Sequence, residues 1–200
     1  SLDNIVEASG ATKTIAVSLM KIANDIRWMG SGPRGGFGEI ELPEVQPGSS
    51  IMPGKVNPVI PESVCQVAAQ VIGNDATISI AGQSGNFEIN VMMPVAAYNL
   101  IQSIELISAA AENLAIQCID GLKATPKGPE MVEKGLAIVT TLVPYIGYDK
   151  SAELAHKAQQ TGLTIKEVAL KETNLSEEQL IEILDPESMT EPSVPEVSPG

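Results

Sequence analysis

Apolar residues at intervals of three and four dominate the first 120 positions and predict long helices. Ile15, Leu19, Ile22 and Ile26 mark one face of a helix from Ile5 to Met29. Val64, Val67, Ala68, Val71 and Ile72 mark a second, which begins at Asn57-Pro58, because proline is tolerated in a first turn whose amides lack partners. From Pro94 to Cys118 the seam Leu100, Ile104, Ile107, Ala111, Leu114, Cys118 is spaced like one strand of a bundle. Between the first two helices, Gly30 to Gly38 and two prolines break the pattern, and Glu39-Ile40-Glu41-Leu42 alternates as a brief strand. Gly82 to Asn86 makes the next break.

Beyond Gly121 the predicted elements shorten. Val132, Leu136, Val139 and Val143 predict one helix, and another runs from about Asp149 to Gln160 with Gly162 ending it. Thr164-x-x-Glu167 and Ser176-x-x-Gln179 both match the capping box. The expected architecture is all-α: part of a long-helix bundle over residues 1–124, a small helical domain over 125–185, and a disordered tail over 186–200 rich in Pro, Glu and Ser.

Composition narrows the function classes. The core must come from aliphatic residues, since aromatics supply 3% of the 200 residues against 44% hydrophobic overall. A formal charge of −13 opposes the phosphate-neutralising surface of a nucleic-acid binder and disfavours anionic membranes. No apolar run approaches the roughly 20 residues that span a bilayer. Cys65 and Cys118 lie apart in apolar helical patterns, outside metal-ligand spacing, and are expected to be reduced and buried. His156 is expected to face solvent, and no metal or organic cofactor is expected.

The segment GSSIMPGKVNP, residues 48–58, concentrates two hydroxyls, an amine and a carboxamide between glycines and prolines. A phosphate cradle is excluded because five residues separate Gly48 from Gly54 and Val56 stands where a magnesium-binding hydroxyl belongs. Gly30-Ser31-Gly32-Pro33-Arg34-Gly35 satisfies G-x-G-x-x-G, but a helix precedes it and a loop follows. Acid/base chemistry on a small carboxylate fits better. Lys55 can pair with a carboxylate, Asn57 can donate, and Ser49 or Ser50 can accept a proton if nearby donors stabilise the alkoxide. Alternatively, the serines serve turns, the lysine extends into solvent, and Asn57 only caps a helix.

GSSIMPGKVNP resembles the signature loop of the fumarase/aspartase superfamily. KIANDIRWMGSGPRGGFGEIELPE before it, GNDATISIAGQSGNFEINVMMPV after it, and IGYDKSAELAHKAQQTGLTIKEVAL near the end resemble that family in order and spacing. GNFEINVMMP and the last segment look closer to the fumarases, NPVIPE closer to the aspartases.

The resemblance implies reversible hydration of fumarate to malate, with Ser49 as the base that removes the Cβ proton. It implies that Ser50, Lys55, Val56 and Asn57 contact the dicarboxylate. Glu62 takes the place of a glutamate that orients a histidine, and no histidine here matches that position. The start at Ser1 without methionine and the missing histidine suggest the C-terminal portion of a longer enzyme, inactive alone. The resemblance further implies a homotetramer with shared active sites and a cytoplasmic location, or a mitochondrial one in a eukaryote. Aspartate ammonia-lyase and a non-catalytic helical association module are the competing readings.

Overall fold

A computed structural model of the chain describes residues 1–49 and 51–190. It divides into two compact units, Ser1–Thr125 and the segment from Pro126 onward.

Three long helices build the first unit: α1 (Asp3–Met29), α2 (Val59–Gln83) and α3 (Met93–Leu114). Their polar cross-links fix the directions. Ser9 and Lys13 meet Asp75 while Asn24 meets Cys65, so α1 and α2 run antiparallel. Ala81 clusters with Ala96, Val71 with Ile107, and Val64 with Leu114, so α2 and α3 are antiparallel too.

The helix positions follow the sequence, and α2 buries Val64, Ala68 and Val71 and α3 buries Ile107 and Leu114 as expected, but other expected positions are not buried. In α1 the buried residues are Ser9, Thr12, Ala16, Ala23 and Ile26, whereas Ile15 is 52% exposed and Ile22 is exposed as well. Ile72 of α2 and Ile104 of α3 are likewise on the surface. Alanines at 16, 23 and 68 occupy the seams because small side chains let helix backbones approach closely, leaving the bulkier isoleucines on the flanks.

Polar residues fill the remaining seam positions where partners satisfy them. Asn74 Nδ2 donates to Ser103 Oγ and Gln102 Oε1, both at 3.0 Å, and Ser103 Oγ donates to the Asn99 carbonyl at 2.7 Å. A buried polar group costs little once its hydrogen bonds are made. Cys118 is buried as expected, and burial pushes its thiol pKa up. Cys65 is only half-buried, its Sγ lying 3.6 Å from Asn24 Oδ1.

After α3, a π turn at Ala115–Ile119 carries the chain to Gly121. A Cβ there would lie 2.7 Å from Pro43 Cγ, so glycine permits the close approach. This brings β2 (Lys123–Ala124) antiparallel to β1 (Ile40–Glu41). Thr125 fastens the ladder: its N–H donates to the Glu39 carbonyl at 2.9 Å and its Oγ1 to the Gly38 carbonyl at 2.6 Å.

In the second unit the single helix expected through Val132 and Val143 is three pieces. These are α4 (Lys127–Lys134), a 3₁₀ segment Ala137–Leu142, and α5 (Val143–Ile146). Gly135 turns extended, with ψ 147°, and Pro144 starts a new turn because it offers no N–H to continue the old one. The helices α6 (Tyr148–Thr161), α7 (Ile165–Glu172) and α8 (Glu177–Ile183) close a core that includes Leu142, Leu154, Ile165, Val168 and Leu180. Gly162 ends α6 in the left-handed region at φ 72°. His156 is exposed on α6. Of the expected tail, Ser188–Thr190 form a 3₁₀ turn, and residues 191–200 lie outside the described residues.

Both capping boxes form. Thr164 Oγ1 accepts from the Glu167 N–H at 3.2 Å, and Glu167 Oε2 accepts from the Thr164 N–H at 2.8 Å. Thr164→Ala is expected to cost about 1 kcal/mol. Chemical denaturation would show this as a lower midpoint with an unchanged slope.

Candidate functional site

The 48–58 loop links β1 to α2, and its shape follows from its residues. Met52-Pro53-Gly54-Lys55 forms a tight turn in which the Lys55 N–H donates to the Met52 carbonyl at 3.2 Å. Proline fits its second position, and Gly54, at φ 77°, supplies the left-handed third that L side chains disfavour. The turn folds Lys55 back onto the loop's entrance. A Cβ on Gly48 would lie 3.0 Å from the Lys55 carbonyl oxygen, so the two ends of the loop meet only because position 48 has no side chain.

Ser49 sits inside this closed loop, half-buried. Its Oγ accepts from two backbone amides, Ile51 N–H at 3.2 Å and Met52 N–H at 3.4 Å. An oxygen held by two amide donors is better placed than a free serine hydroxyl to carry negative charge, since both hydrogen bonds strengthen on ionisation. Ser50, the second expected hydroxyl, lies outside the described residues.

The rest of the expected set is spread along the loop's exit. Lys55 and Val56 are exposed, which leaves the Lys55 amine open to an anionic ligand. Asn57 is half-buried beside Leu42, Pro43 and Val45 in a crevice too narrow for a substrate. The Val59 N–H donates to the Asn57 carbonyl at 2.8 Å, and Pro58 holds the cap position of α2. Glu62 follows in the first turn, half-buried, its N–H bonded to the Pro58 carbonyl at 3.0 Å. A carboxylate there is favoured by the partial positive charge of the helix N-terminus. Among the described residues no side-chain hydrogen bond joins Glu62 to Ser49, Lys55 or Asn57, so the chain groups them on one segment without closing them into a cage.

One polar cluster near this end of the bundle escaped the sequence reading. Asn24 Oδ1 accepts from Arg27 Nη1 at 2.9 Å and lies against Cys65 Sγ, one turn beyond Glu62 on α2. Arg27 Nε is buried without a partner among the described residues. The available signal was the i, i+3 spacing of Asn24 and Arg27 within an otherwise apolar helix.

Comparison with known proteins agrees with the loop. A family model described as Lyase matches residues 1–73, and one described as Fumarase C C-terminus matches residues 138–191. The chain is 55% identical over 191 residues to "Fumarate hydratase class II 2" of Pseudomonas aeruginosa, covering 95% of this chain and 42% of that protein. It is 49% identical over 193 residues to the class II fumarate hydratase of Bacillus subtilis, with coverages of 96% and 42%. The recombinant class II fumarase of Schistosoma mansoni superposes with a TM-score of 0.84 at 40% identity, covering 94% of this chain and 39% of that one. The chain therefore spans well under half the length of the relatives it matches.

Proposed function

We propose, because this chain belongs to the fumarase/aspartase superfamily of lyases, that it supplies the proton-abstracting loop of a fumarate hydratase. The single observation that carries the reading is the environment of Ser49, whose Oγ accepts from the Ile51 and Met52 amides inside a loop closed by the Pro53-Gly54 turn. As an alkoxide, Ser49 would take a proton from Cβ of malate. The electron pair left behind would form the double bond as the hydroxyl on the neighbouring carbon takes a proton from the histidine that Glu62 would orient and leaves as water.

Charge on the substrate grows as the Cβ proton departs, delocalising into the adjoining carboxylate. Lys55, with its exposed amine, and Asn57 would stabilise that charge, and a group that acts on charge present only in the transition state accelerates the step. Ser50 and Val56 would complete the substrate contacts. Glu62 would orient a histidine supplied by a part of the longer protein that this chain does not include. The chemistry then belongs to residues 1–124, and the helices over 125–185 form a separate domain. A homotetramer sharing its active sites and a cytoplasmic location complete the proposal. Among the described residues no helix is long and apolar enough to cross a membrane.

The test is a chimera in which this chain replaces the matching segment of the Bacillus subtilis relative. The chimera is expected to dehydrate malate and to leave aspartate untouched, while the 200-residue chain alone turns over neither. Aspartate turnover without malate turnover would move the assignment to the ammonia-lyases. An assembled chimera inactive on both would support the association-module reading instead.

A further inference from the structure

Arg27 uses one of its donors and buries another unused. Its Nη1 donates to Asn24 Oδ1 at 2.9 Å, while Nε is buried without a partner among the described residues. A guanidinium presents its donors as a planar fork, and the edge formed by Nε and Nη2 can take both oxygens of one carboxylate in parallel bonds. A buried donor left unpaired on that edge calls for an acceptor.

Across the α1–α2 seam, the acceptor of matching chemistry is Glu62. Asn24 and Arg27, three residues apart, share one flank of α1, and Glu62 and Cys65, three apart, share one flank of α2. The approach of Cys65 Sγ to Asn24 Oδ1 at 3.6 Å joins the two flanks. Because the helices are antiparallel, one turn onward along α1 is one turn back along α2, which sets Arg27 level with Glu62. A single register runs the length of the seam. A Cβ on Gly82 would meet Val6, Lys13 meets Asp75, Asn24 meets Cys65, and Arg27 with Glu62 continues the series. Of the other acids near this end of α1, Asp25 pairs with Lys21, and Glu39 shares a recess with Asp25 and Trp28.

We propose that Arg27 is a positioning residue that clamps the Glu62 carboxylate through its Nε edge, with Asn24 tethering the guanidinium against α2. This rests on the reading of Glu62 as the group that orients a histidine. Glu62 is half-buried, and among the described residues no side-chain hydrogen bond ties it to Ser49, Lys55 or Asn57. Its two oxygens offer about four acceptor sites, enough for a guanidinium and an imidazole together. With Arg27 on one side, the carboxylate is held at one angle before the histidine meets it, and the proton bound for the departing hydroxyl is aimed in advance. Lys55 and Asn57 lie outside this pair, so binding of the dicarboxylate does not depend on it.

The test is a cycle of variants in the Bacillus subtilis chimera, with assembled mass checked for each by sedimentation. Arg27→Gln is expected to lower kcat for malate at least tenfold with KM changed less than twofold. In a Glu62→Gln background the same substitution should lower kcat less than twofold further, because the group it positions is already gone. Arg27→Lys keeps the charge and loses the fork, so it should fall between Arg27→Gln and the parent. It also carries the comparison if Arg27→Gln does not assemble: severalfold slower beside Glu62, and without effect beside Glu62→Gln. An Arg27 substitution equally costly in both backgrounds, or one expressed only in KM, would overturn the clamp. A Glu62→Gln chimera with a large fall in kcat and an Arg27→Gln chimera with none would overturn it while leaving the reading of Glu62 intact. Parent rates in the Glu62→Gln chimera would overturn both.

Discussion

Ser49→Ala in the Bacillus subtilis chimera is expected to lower malate turnover by about 10²–10⁴-fold, the range supplied by a positioned proton-transfer group. The substitution removes the oxygen that accepts from the Ile51 and Met52 amides and leaves those amides in place. Loop closure should survive. The Met52–Lys55 turn is held by a backbone hydrogen bond and by the φ of Gly54, and the approach of Gly48 to Lys55 involves no serine atom. Lys55 and Asn57 would still receive the dicarboxylate. The fall should therefore appear in kcat, with KM changed little and the assembled mass unchanged. A loss confined to KM would make Ser49 a binding group instead, and an unchanged rate would make the loop a connector.

Lys13→Met in this chain is expected to cost about 2 kcal/mol of stability at neutral pH, less than a fully buried pair because Lys13 is 42% exposed. The buried Asp75 carboxylate, 7% exposed, is held by Lys13 Nζ at 2.5 Å and Ser9 Oγ at 2.7 Å. Burial alone would raise its pKa, but the hydrogen bonds from Lys13 and Ser9 and the lysine's charge outweigh burial and hold it below the usual aspartate value. A depressed folded-state pKa contributes stability that is complete above the unfolded value and lost as pH falls through the folded one. Without Lys13, burial and one hydroxyl remain, and the carboxyl should become easier to protonate in the folded state. Urea unfolding should thus show the gap between variant and parent largest at neutral pH and shrinking on acidification. A gap independent of pH would show that the lysine acts through packing rather than through Asp75.

The positions of the long helices were legible because their apolar spacing persists over many turns, and Gly162 and both capping boxes act through local backbone chemistry that residue type announces. The buried stripe of α2 (Val64, Ala68 and Val71) and the α3 positions Ile107 and Leu114 were legible too, whereas most of the buried face of α1 was not. Hydrophobicity also pointed to Ile15, Ile22, Ile72 and Ile104, yet other seam positions went to Ala16, Ala23, Ser103 and Asp75. Close helix approach rewards small residues, and a paired polar group is tolerated in a seam, and both depend on a neighbour that is distant in sequence. The break of the expected helix near Val132 was missed because its apolar spacing continues across Gly135 and Pro144, which override it.

The loop residues were legible as a chemical set, but their arrangement was not. Sequence alone placed Ser49 between a glycine and a second serine. The structure adds the two amides aimed at its oxygen, and among the described residues no side-chain hydrogen bond joins Glu62 to the loop. A carboxylate with no histidine yet to orient is what a chain spanning 42% of its relatives' length would show if the remaining groups come from other segments.

Fumarate hydration by the chimera in deuterated water tests the central claim most directly, followed by resolution of the deuterium on Cβ of the malate formed. The account predicts that the Ser49 chimera delivers one deuterium to a single face of Cβ and that Ser49→Ala, equally assembled, delivers it at least a hundredfold more slowly. Deuterium delivered at the same rate and to the same face without the Ser49 hydroxyl would contradict it.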